Sequence, residues 1–448
     1  MLESPRTRRV SAMLQNTRAR LGFSVLVLFT LLAGDAWRLS LGWWFFGTLT
    51  ILLTLVSAWL LWLQRTRWSV GGMPLPLLAF LALAMASISW SHYPGATALG
   101  LFTTWIIVIN GVALAVTFTW AELLRSLGVV LRVLLAASIL FELFVSLVLR
   151  DRLLPFFGQP GVDYDAYDRI PGMLMWSRNE LFDVFGDGRI QGIVGNANSL
   201  GFLALLAVIV FGLQFADKTV SRRAASGWIL LAVATILMTK SATTTLAAAG
   251  VALVLLVALL VRHARTGRGR LTIYGASAVV AAGAITAAIL FRGPMLELLG
   301  KSADLTGRLG IWQKVVDLAE QRPAFGWGWV SYWVPWADPF DHLVFRSGVR
   351  QLQAHNTWLD VAFQLGLVGL IIFIALAGAA LVKAWQHAVD RPQTAPDAPL
   401  RFSAITLLPL LLLVAVLVQS FAESRLITEY GLAILVVVAV KTKRRELL

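Results

Sequence analysis

The chain has 448 residues, of which 58% are hydrophobic and 14% are charged. Soluble domains carry roughly 45–50% apolar and about 25% charged residues, so this composition excludes an ordinary soluble protein. The net charge of +14 would suit a nucleic-acid-binding protein, but the basic residues fall mostly in short loops between apolar runs. The sequence contains no cysteine, which excludes disulfides and thiolate metal sites. The sequence predicts an all-α polytopic membrane protein with no nucleic-acid partner.

Apolar runs long enough, or nearly so, for a hydrocarbon layer of ~30 Å recur along the whole chain. The first run follows five arginines within residues 1–20. A signal peptide is the alternative interpretation, but no small-residue cleavage site is evident, and we interpret the run as a retained span. About twelve transmembrane helices are predicted, at 21–34, 41–63, 75–90, 97–118, 128–149, 195–215, 226–240, 242–262, 271–291, 356–383, 401–420 and 427–440.

The basic residues of the short loops predict the orientation, because cytoplasmic loops carry an excess of lysine and arginine. With twelve spans and a cytoplasmic N-terminus, every basic cluster in a short loop falls on the cytoplasmic side, and so does the C-terminus. The two polar segments, 150–192 and 292–354, are then extracytoplasmic, the second as a large loop with short helices between the ninth and tenth spans. Residues 1–448 are predicted to form a single membrane domain.

The loop 292–354 contains a run with helical periodicity that begins near Thr306. Arg308 lies in its first turn, where a cation opposes the helix dipole unless an anionic ligand binds there, and Trp312 lies on its apolar face. An interfacial helix whose arginine faces water is the alternative. Downstream, Trp327 and Trp329 belong to an aromatic segment, 325–336, which either anchors the chain at the membrane interface or forms a platform for sugar rings.

His355 stands at the outer mouth of the tenth span, followed directly by Asn356. A general base here requires a pKa near the working pH and reach to a hydroxyl group. A hydrogen-bonded interfacial histidine is the alternative reading. Asp360 lies about 140° around the helix from His355, by the ~100° turn of each residue, and is therefore not a sure partner.

The first polar loop ends at Arg189 and leads into the sixth span through Asn196 and Asn198, which either cap the helix or contact a ligand. Glu142 lies inside the fifth span and must be paired or neutral. Further polar residues at outer span ends include Lys240 and Glu423. An acidic cluster in the first loop lacks the glycine and the distal glutamate of a calcium loop, which leaves cation binding open; it comprises Asp163, Asp165 and Asp168.

Four blocks within about residues 185–370 resemble, in order and spacing, the O-antigen ligase and O-antigen polymerase superfamily of bacterial membrane glycosyltransferases. The blocks are Arg189 with Gly195-Asn196-Ala-Asn198; Gly307-Arg308 with Trp312; Pro323-Ala-Phe-Gly326-Trp-Gly328; and His355-Asn356 with Gly366-Leu-Val-Gly369. One departure concerns the cation after the seventh span. The family often has a serine followed by Arg or Lys, whereas here Lys240 precedes Ser241, so this cation is placed differently.

The resemblance implies a GT-C-like membrane fold in the bacterial cytoplasmic membrane, with the active site on the extracytoplasmic face. It also implies transfer of a glycan from a polyprenyl diphosphate donor to a hydroxyl of a saccharide or glycolipid acceptor, without metal, nucleotide or other cofactor. Arg189 and Arg308, with Arg350 as a third candidate, are the expected diphosphate contacts, because guanidinium groups bind phosphate oxygens bidentately. His355 is the expected general base, which predicts inversion at the anomeric carbon in a single displacement. The other candidate substrate-binding residues are Asn196, Asn198, Lys240, Trp312, Trp327, Trp329 and Asn356.

Two activities remain open within the superfamily. A polymerase adds the glycan to another lipid-linked glycan, whereas a ligase moves it to a terminal acceptor. We favour the polymerase, since no feature points to a lipid A acceptor. A lipid-linked oligosaccharide flippase is a more remote alternative, because flippases need charged residues at mid-membrane depth and the polar residues here crowd the outer ends of the spans.

Overall fold

The computed structural model of the protein describes residues 16–66, 68–159, 161–183, 186, 188–291, 307–346, 348–390 and 402–444. Within these ranges the chain is almost entirely helical, and the one sheet is a two-stranded antiparallel pair of β1 (Phe345–Arg346) and β2 (Val349–Arg350), with Phe345 opposite Arg350. The prediction of an all-α protein is confirmed. Thr306, the predicted helix start, lies outside the described residues.

Thirteen α-helices follow one another in the described ranges. In chain order they are α1 (Thr17–Leu32), α2 (Gly34–Leu63), α3 (Leu75–Ala86), α4 (Pro94–Thr117), α5 (Trp120–Phe144), α6 (Ala197–Ala216), α7 (Arg222–Thr239), α8 (Ala242–His263), α9 (Gly267–Leu290), α10 (Arg308–Gln321), α11 (Thr357–Val389), α12 (Leu408–Gln419) and α13 (Glu429–Lys443).

Every predicted span coincides with one of these helices, and α10 is the additional helix in the large polar loop. Among the described residues, six helical segments are long and apolar enough by composition to cross a membrane: Gly34–Leu63, Pro94–Thr117, Trp120–Leu149, Ala197–Ala216, Ala242–His263 and Thr357–Val389. The described apolar segments Leu75–Ser89 and Ala404–Gln419 are shorter. A polytopic membrane protein is confirmed, whereas twelve spans and a GT-C-like arrangement stay predictions.

Local capping explains where several helices begin. The fifth span starts at Trp120, eight residues before the predicted boundary, because Thr119 and Glu122 form a reciprocal capping box. The helix α7 starts at Arg222 because the Ser221 side chain accepts a hydrogen bond from the amide of Ala224. These polar residues lengthen both helices beyond their apolar cores, which are what the hydropathy pattern detects.

The helix α11 is interrupted at a glycine, and the aromatic segment of the large loop packs against this interruption. Gly366 has φ +65° inside the helix, and a Cβ there would lie 2.3 Å from the carbonyl carbon of Ala324. The loop backbone bonds into the break, with the amide of Trp327 donating to Phe363 O at 3.1 Å and the amide of Leu367 donating to Pro323 O at 2.8 Å. The large loop is therefore fixed directly to the entrance of α11.

The packing divides into a large helical core and a smaller outer one. The large core joins buried side chains from most of the helices, with α6 and α13 buried on nearly all sides. The smaller core lies under the large loop and collects Trp333, Phe340 and Phe363 together with the buried side of α10. This arrangement brings the starts of α6, α10 and α11 to one end of the molecule, where their polar residues meet.

Candidate active site

His355 is held at the entrance of α11 in an unusual backbone conformation. Its φ is +51°, and the side chain of the next residue, Asn356, caps α11 by accepting from the amides of Trp358 and Leu359. The imidazole Nδ1 lies 3.0 Å from Glu423 Oε2, and Nε2 lies 3.3 Å from Gln351 Oε1. The ring is thus held at Nδ1 by a carboxylate and at Nε2 by an amide oxygen, and its side chain remains partly exposed.

Glu423, in the connection between α12 and α13, binds side chains from several parts of the chain. Its residue surface is only 6% exposed, yet its two oxygens accept four side-chain contacts. Oε2 accepts from His355 Nδ1 at 3.0 Å and from Gln353 Nε2 at 3.3 Å. Oε1 accepts from Arg308 Nη2 at 3.1 Å and from Asn198 Nδ2 at 3.1 Å. One carboxylate therefore links the entrances of α6, α10 and α11.

The charge state of Glu423 follows from its neighbours. Burial alone would raise the pKa of this carboxyl, but the charge and hydrogen bond of His355, together with the charges of Arg308 and Arg425, lower the pKa to about 2. Glu423 is therefore an anion at neutral pH. A fixed negative charge at His355 Nδ1 orients the imidazole and would stabilise positive charge that develops on the ring.

Arg189 joins the same set of side chains through Asn198. Its Nη2 donates to Asn198 Oδ1 at 3.0 Å, and its Nε donates to Thr239 O at 2.8 Å. Burial, and then the positive charges of Arg178 and Arg308, lower the pKa of Arg189. We call His355, Glu423, Arg308, Asn198 and Arg189 the His355–Glu423 cluster.

The roles predicted for His355, Arg189 and Arg308 require these groups, which are far apart in sequence, to lie near one another, and the structure brings them together. The role of each group stays a prediction. In the sequence Glu423 is recognisable only as a polar residue at the outer end of a predicted span, and no function could be assigned to it. Its position 68 residues after His355 gives no local signal. The only hint is an acidic residue on the predicted outer side, where the candidate binding residues are basic.

Glu142 fixes the loop that carries Arg189. Its Oε1 accepts from the amides of Gln191 at 2.8 Å and Gly192 at 2.7 Å, and its Oε2 accepts from Ser177 Oγ at 2.7 Å. This carboxyl group, expected to be paired or neutral, therefore has hydrogen-bond partners on both oxygens. Because a buried carboxylate without partners would cost several kcal/mol, this contact strongly favours the observed path of the loop.

Several predicted residues serve as supports in the structure. The Asn196 side chain caps α6 by accepting from the amides of Asn198 and Ser199, in agreement with the capping alternative. Trp312 Nε1 donates to Ala354 O at 3.0 Å, directly before His355. Asp360 accepts from the amide of Ala354 at 3.0 Å and from Trp333 Nε1 at 2.8 Å, so it positions the His355 backbone.

Other predicted residues lie away from the His355–Glu423 cluster. Trp329 is completely buried and donates from Nε1 to Thr104 Oγ1 at 2.9 Å, so its ring offers no face to a sugar. Trp327 is also buried, with the Arg322 guanidinium 4.6 Å from its ring centroid. Lys240 donates from Nζ to Gly186 O, while its neighbours Thr239 and Ser241 contact the cluster.

The third predicted arginine and the acidic cluster are also placed elsewhere. Arg350 lies on β2 with its guanidinium 5.5 Å from the Phe345 ring centroid, and its buried Nε has no hydrogen-bond partner among the described residues. Ligand atoms close enough to share an ion in the described part of the chain are those of Asp338, Asp341 and His342 on the large loop. The acidic cluster of Asp163, Asp165 and Asp168 is not such a group.

Comparison with known proteins supports the resemblance found in the sequence. Residues 227–374 match the model of the O-Antigen ligase family, and this segment contains α10, Arg308 and His355. The chain is also 28% identical over 248 residues to the exopolysaccharide production protein ExoQ of Rhizobium meliloti (strain 1021). That alignment covers 53% of this chain and 54% of ExoQ, so the chain spans about half the length of this relative. The predicted resemblance to the ligase and polymerase superfamily is thereby confirmed, and the family match extends over residues 227–374.

Proposed function

We propose that the protein is a glycosyltransferase of polysaccharide synthesis that moves a glycan from a polyprenyl diphosphate to a saccharide hydroxyl. The observation that carries this proposal is the His355–Glu423 cluster, which places an oriented imidazole beside two arginines at one end of the helical core. The family segment and the relative named for exopolysaccharide production support the same class of reaction.

In the proposed reaction the Gln351 side chain, which contacts His355 Nε2 in this structure, gives way to the acceptor, and Nε2 takes the proton of the acceptor hydroxyl. The hydroxyl oxygen then forms a bond to the anomeric carbon, the bond from that carbon to the diphosphate oxygen breaks, and polyprenyl diphosphate leaves with the electron pair. Glu423 stabilises the imidazolium that results, because its carboxylate already accepts from Nδ1. The single displacement inverts the anomeric configuration and needs no metal or cofactor in this scheme.

Arg308 and Arg189 would bind the diphosphate. Each guanidinium carries five N–H donors, and the described contacts occupy only part of them, with Arg308 donating from Nη2 and Arg189 from Nε and Nη2. Their positive charge can therefore be shared between the protein and the leaving group. Charge stabilisation of this kind is usually the largest single contribution to such catalysis.

Polymerisation is the favoured activity and ligation is the second candidate. The relative named for exopolysaccharide production fits chain growth, whereas the matching family model is described as a ligase. In either case we place the protein in the bacterial cytoplasmic membrane, with both termini inside and the His355–Glu423 cluster on the extracytoplasmic side. Donor, acceptor and membrane lipids are its proposed partners.

The test is incubation of the purified full chain with a synthetic polyprenyl-diphosphate oligosaccharide, alone and with a second lipid-linked or a terminal acceptor. A ladder of products from the donor alone supports the polymerase, and a single addition that requires the terminal acceptor supports the ligase. Absence of any glycosidic product, in a preparation that binds the donor, would refute the proposed transfer. NMR of the new linkage checks the predicted inversion.

A further inference from the structure

A second basic site lies in the first polar loop, outside the His355–Glu423 cluster. It is a cavity of about 280 Å³ with Arg152, Arg169, Arg178 and Glu180 among its lining residues. Ligand cavities for drug-sized molecules run to roughly 300–1,000 Å³, so this one suits a single small polar group better than a lipid chain.

The three arginines are unusually free of acidic partners. Within the described part of the chain, no carboxylate lies within ion-pair distance of any of them. Arg178 donates from Nε to Gly172 O at 2.8 Å, which holds its side chain in place and leaves its terminal nitrogens without a described partner. Arg152 and Arg169 are exposed. Around this cavity three guanidinium groups face the single carboxylate of Glu180, and this excess of positive charge favours an anionic occupant.

The cavity adjoins the proposed reaction centre. Glu180 lines it and accepts a hydrogen bond from the backbone amide of Arg189 at 2.9 Å. The positive charge of Arg178 is close enough to Arg189 to lower the pKa of that guanidinium, after the larger effect of burial. Two residues that line the cavity, Arg178 and Glu180, therefore lie next to Arg189, the proposed diphosphate contact.

We propose that this cavity binds a carboxylate-bearing sugar of the glycan that the protein joins. The proposal rests on the proposed transfer and adds its substrate class, an acidic rather than a neutral glycan. Neutral sugars gain little from three guanidinium groups, whereas a carboxylate forms bidentate, charge-assisted hydrogen bonds with arginine. An anionic lipid headgroup offers the same chemistry from another source, and the experiment must separate the two.

The experiment measures binding of two soluble tetrasaccharides to the full chain in nanodiscs of neutral phosphatidylcholine. They are identical except that one contains glucuronic acid where the other contains glucose. We expect the acidic probe to bind at least about tenfold more tightly, as charge-assisted contacts predict. The double variant Arg152→Gln/Arg169→Gln should remove this preference, and thermal unfolding checks that it remains folded. Arg150→Gln, which removes a neighbouring exposed charge outside the cavity, should retain the preference.

Three outcomes would overturn the proposal. The first is equal binding of the two probes, and the second is an equal loss of the preference for the acidic probe in Arg150→Gln and in the double variant. The third is displacement of the acidic probe by phosphatidylglycerol added to the nanodiscs, which would make the cavity a lipid headgroup site. The assay needs no turnover. A chain that prefers the acidic probe yet makes no product would refute the proposed transfer alone, whereas product formation with equal binding of both probes would refute this site alone.

Discussion

Two charged groups of residues lie close together in the structure, and they are built differently. The His355–Glu423 cluster contains one carboxylate against two guanidinium groups and an imidazole. A second group, which we call the Arg38 network, contains Asp35, Arg38, Arg425 and Glu429, so two carboxylates face two guanidinium groups. The first has an excess of positive charge, whereas the charges of the second balance.

This difference in charge balance indicates a structural role for the Arg38 network and a binding role for the His355–Glu423 cluster. In the Arg38 network each arginine pairs with both acids, which ties α2 to the start of α13 and leaves no net charge for a ligand. In the His355–Glu423 cluster the single carboxylate is shared by Arg308, Asn198 and His355, so positive charge remains for an anion. In these two groups the balance of charge, and not the number of charged residues, distinguishes a candidate binding site from a structural one.

The largest expected effect is that of His355→Ala. Loss of a general base should lower product formation by roughly 10²–10⁴-fold, while donor binding is retained because the arginines remain. The measurement is single-turnover transfer with purified donor and acceptor, beside a donor-binding assay. The matched control is His342→Ala, which removes an exposed histidine from the large loop. Product at the wild-type rate in the His355 variant would refute its assignment as base.

Arg308→Ala should weaken donor binding and turnover together, by roughly 10–100-fold, because a diphosphate contact acts in both the ground state and the transition state. Steady-state kinetics with varied donor concentration measure this effect. Arg308→Lys should restore only part of it, since an ammonium cannot form the bidentate contact. An unchanged KM and kcat would place the diphosphate elsewhere.

Glu423→Gln should lower kcat without weakening the affinity for the donor. The amide keeps the shape but no longer stabilises an imidazolium, so kcat should fall by about tenfold. Removal of a negative charge beside the diphosphate should at the same time leave donor binding unchanged or tighter. Comparison of kcat with donor affinity tests this directly. Weaker donor binding would show that Glu423 only holds the arginines in place.

The Arg38 network should behave in the opposite way. Arg38→Ala breaks a partly buried set of ion pairs, and we expect a loss of about 1–3 kcal/mol in the free energy of unfolding, discounted because its side chains are 13–32% exposed. Activity per folded molecule should change little. Denaturant unfolding in detergent and single-turnover transfer measure the two quantities. A variant of unchanged stability that is inactive would make this network part of the reaction centre.

The smallest effect is confined to acid. Because the pKa of Glu423 falls from 4.5 to about 2 on folding, its ionised form stabilises the folded protein above pH ~4.5, and this contribution is lost as the pH falls toward 2. The stability difference between wild type and Glu423→Gln should therefore shrink as the pH falls below ~4.5. Thermal unfolding across this range checks it, and a difference that grows in acid would contradict the assigned charge state.

Much of this site could be predicted from sequence because its members stand at the starts of helices. His355 lies where a polar loop becomes an apolar helix, and Arg308 lies where helical periodicity begins within the same polar loop, so both are predicted to lie near one surface. The capping pattern around Asn198 predicts the start of α6 at that surface as well. Glu423 could not be assigned, since its partners come from remote parts of the chain. The sequence predicts Trp329 either at the membrane interface or on a platform for sugar rings. Its ring is instead buried, because close backbone contacts at Gly326 and Gly366 hold this segment in the core.

The most direct test of the central claim is an experimental structure of the full chain with a non-hydrolysable polyprenyl-diphosphate glycan. We predict density for the diphosphate within about 3.5 Å of the guanidinium groups of Arg189 and Arg308, with the anomeric carbon facing His355. A diphosphate bound elsewhere, with Arg308 still paired only to Glu423, would contradict the account.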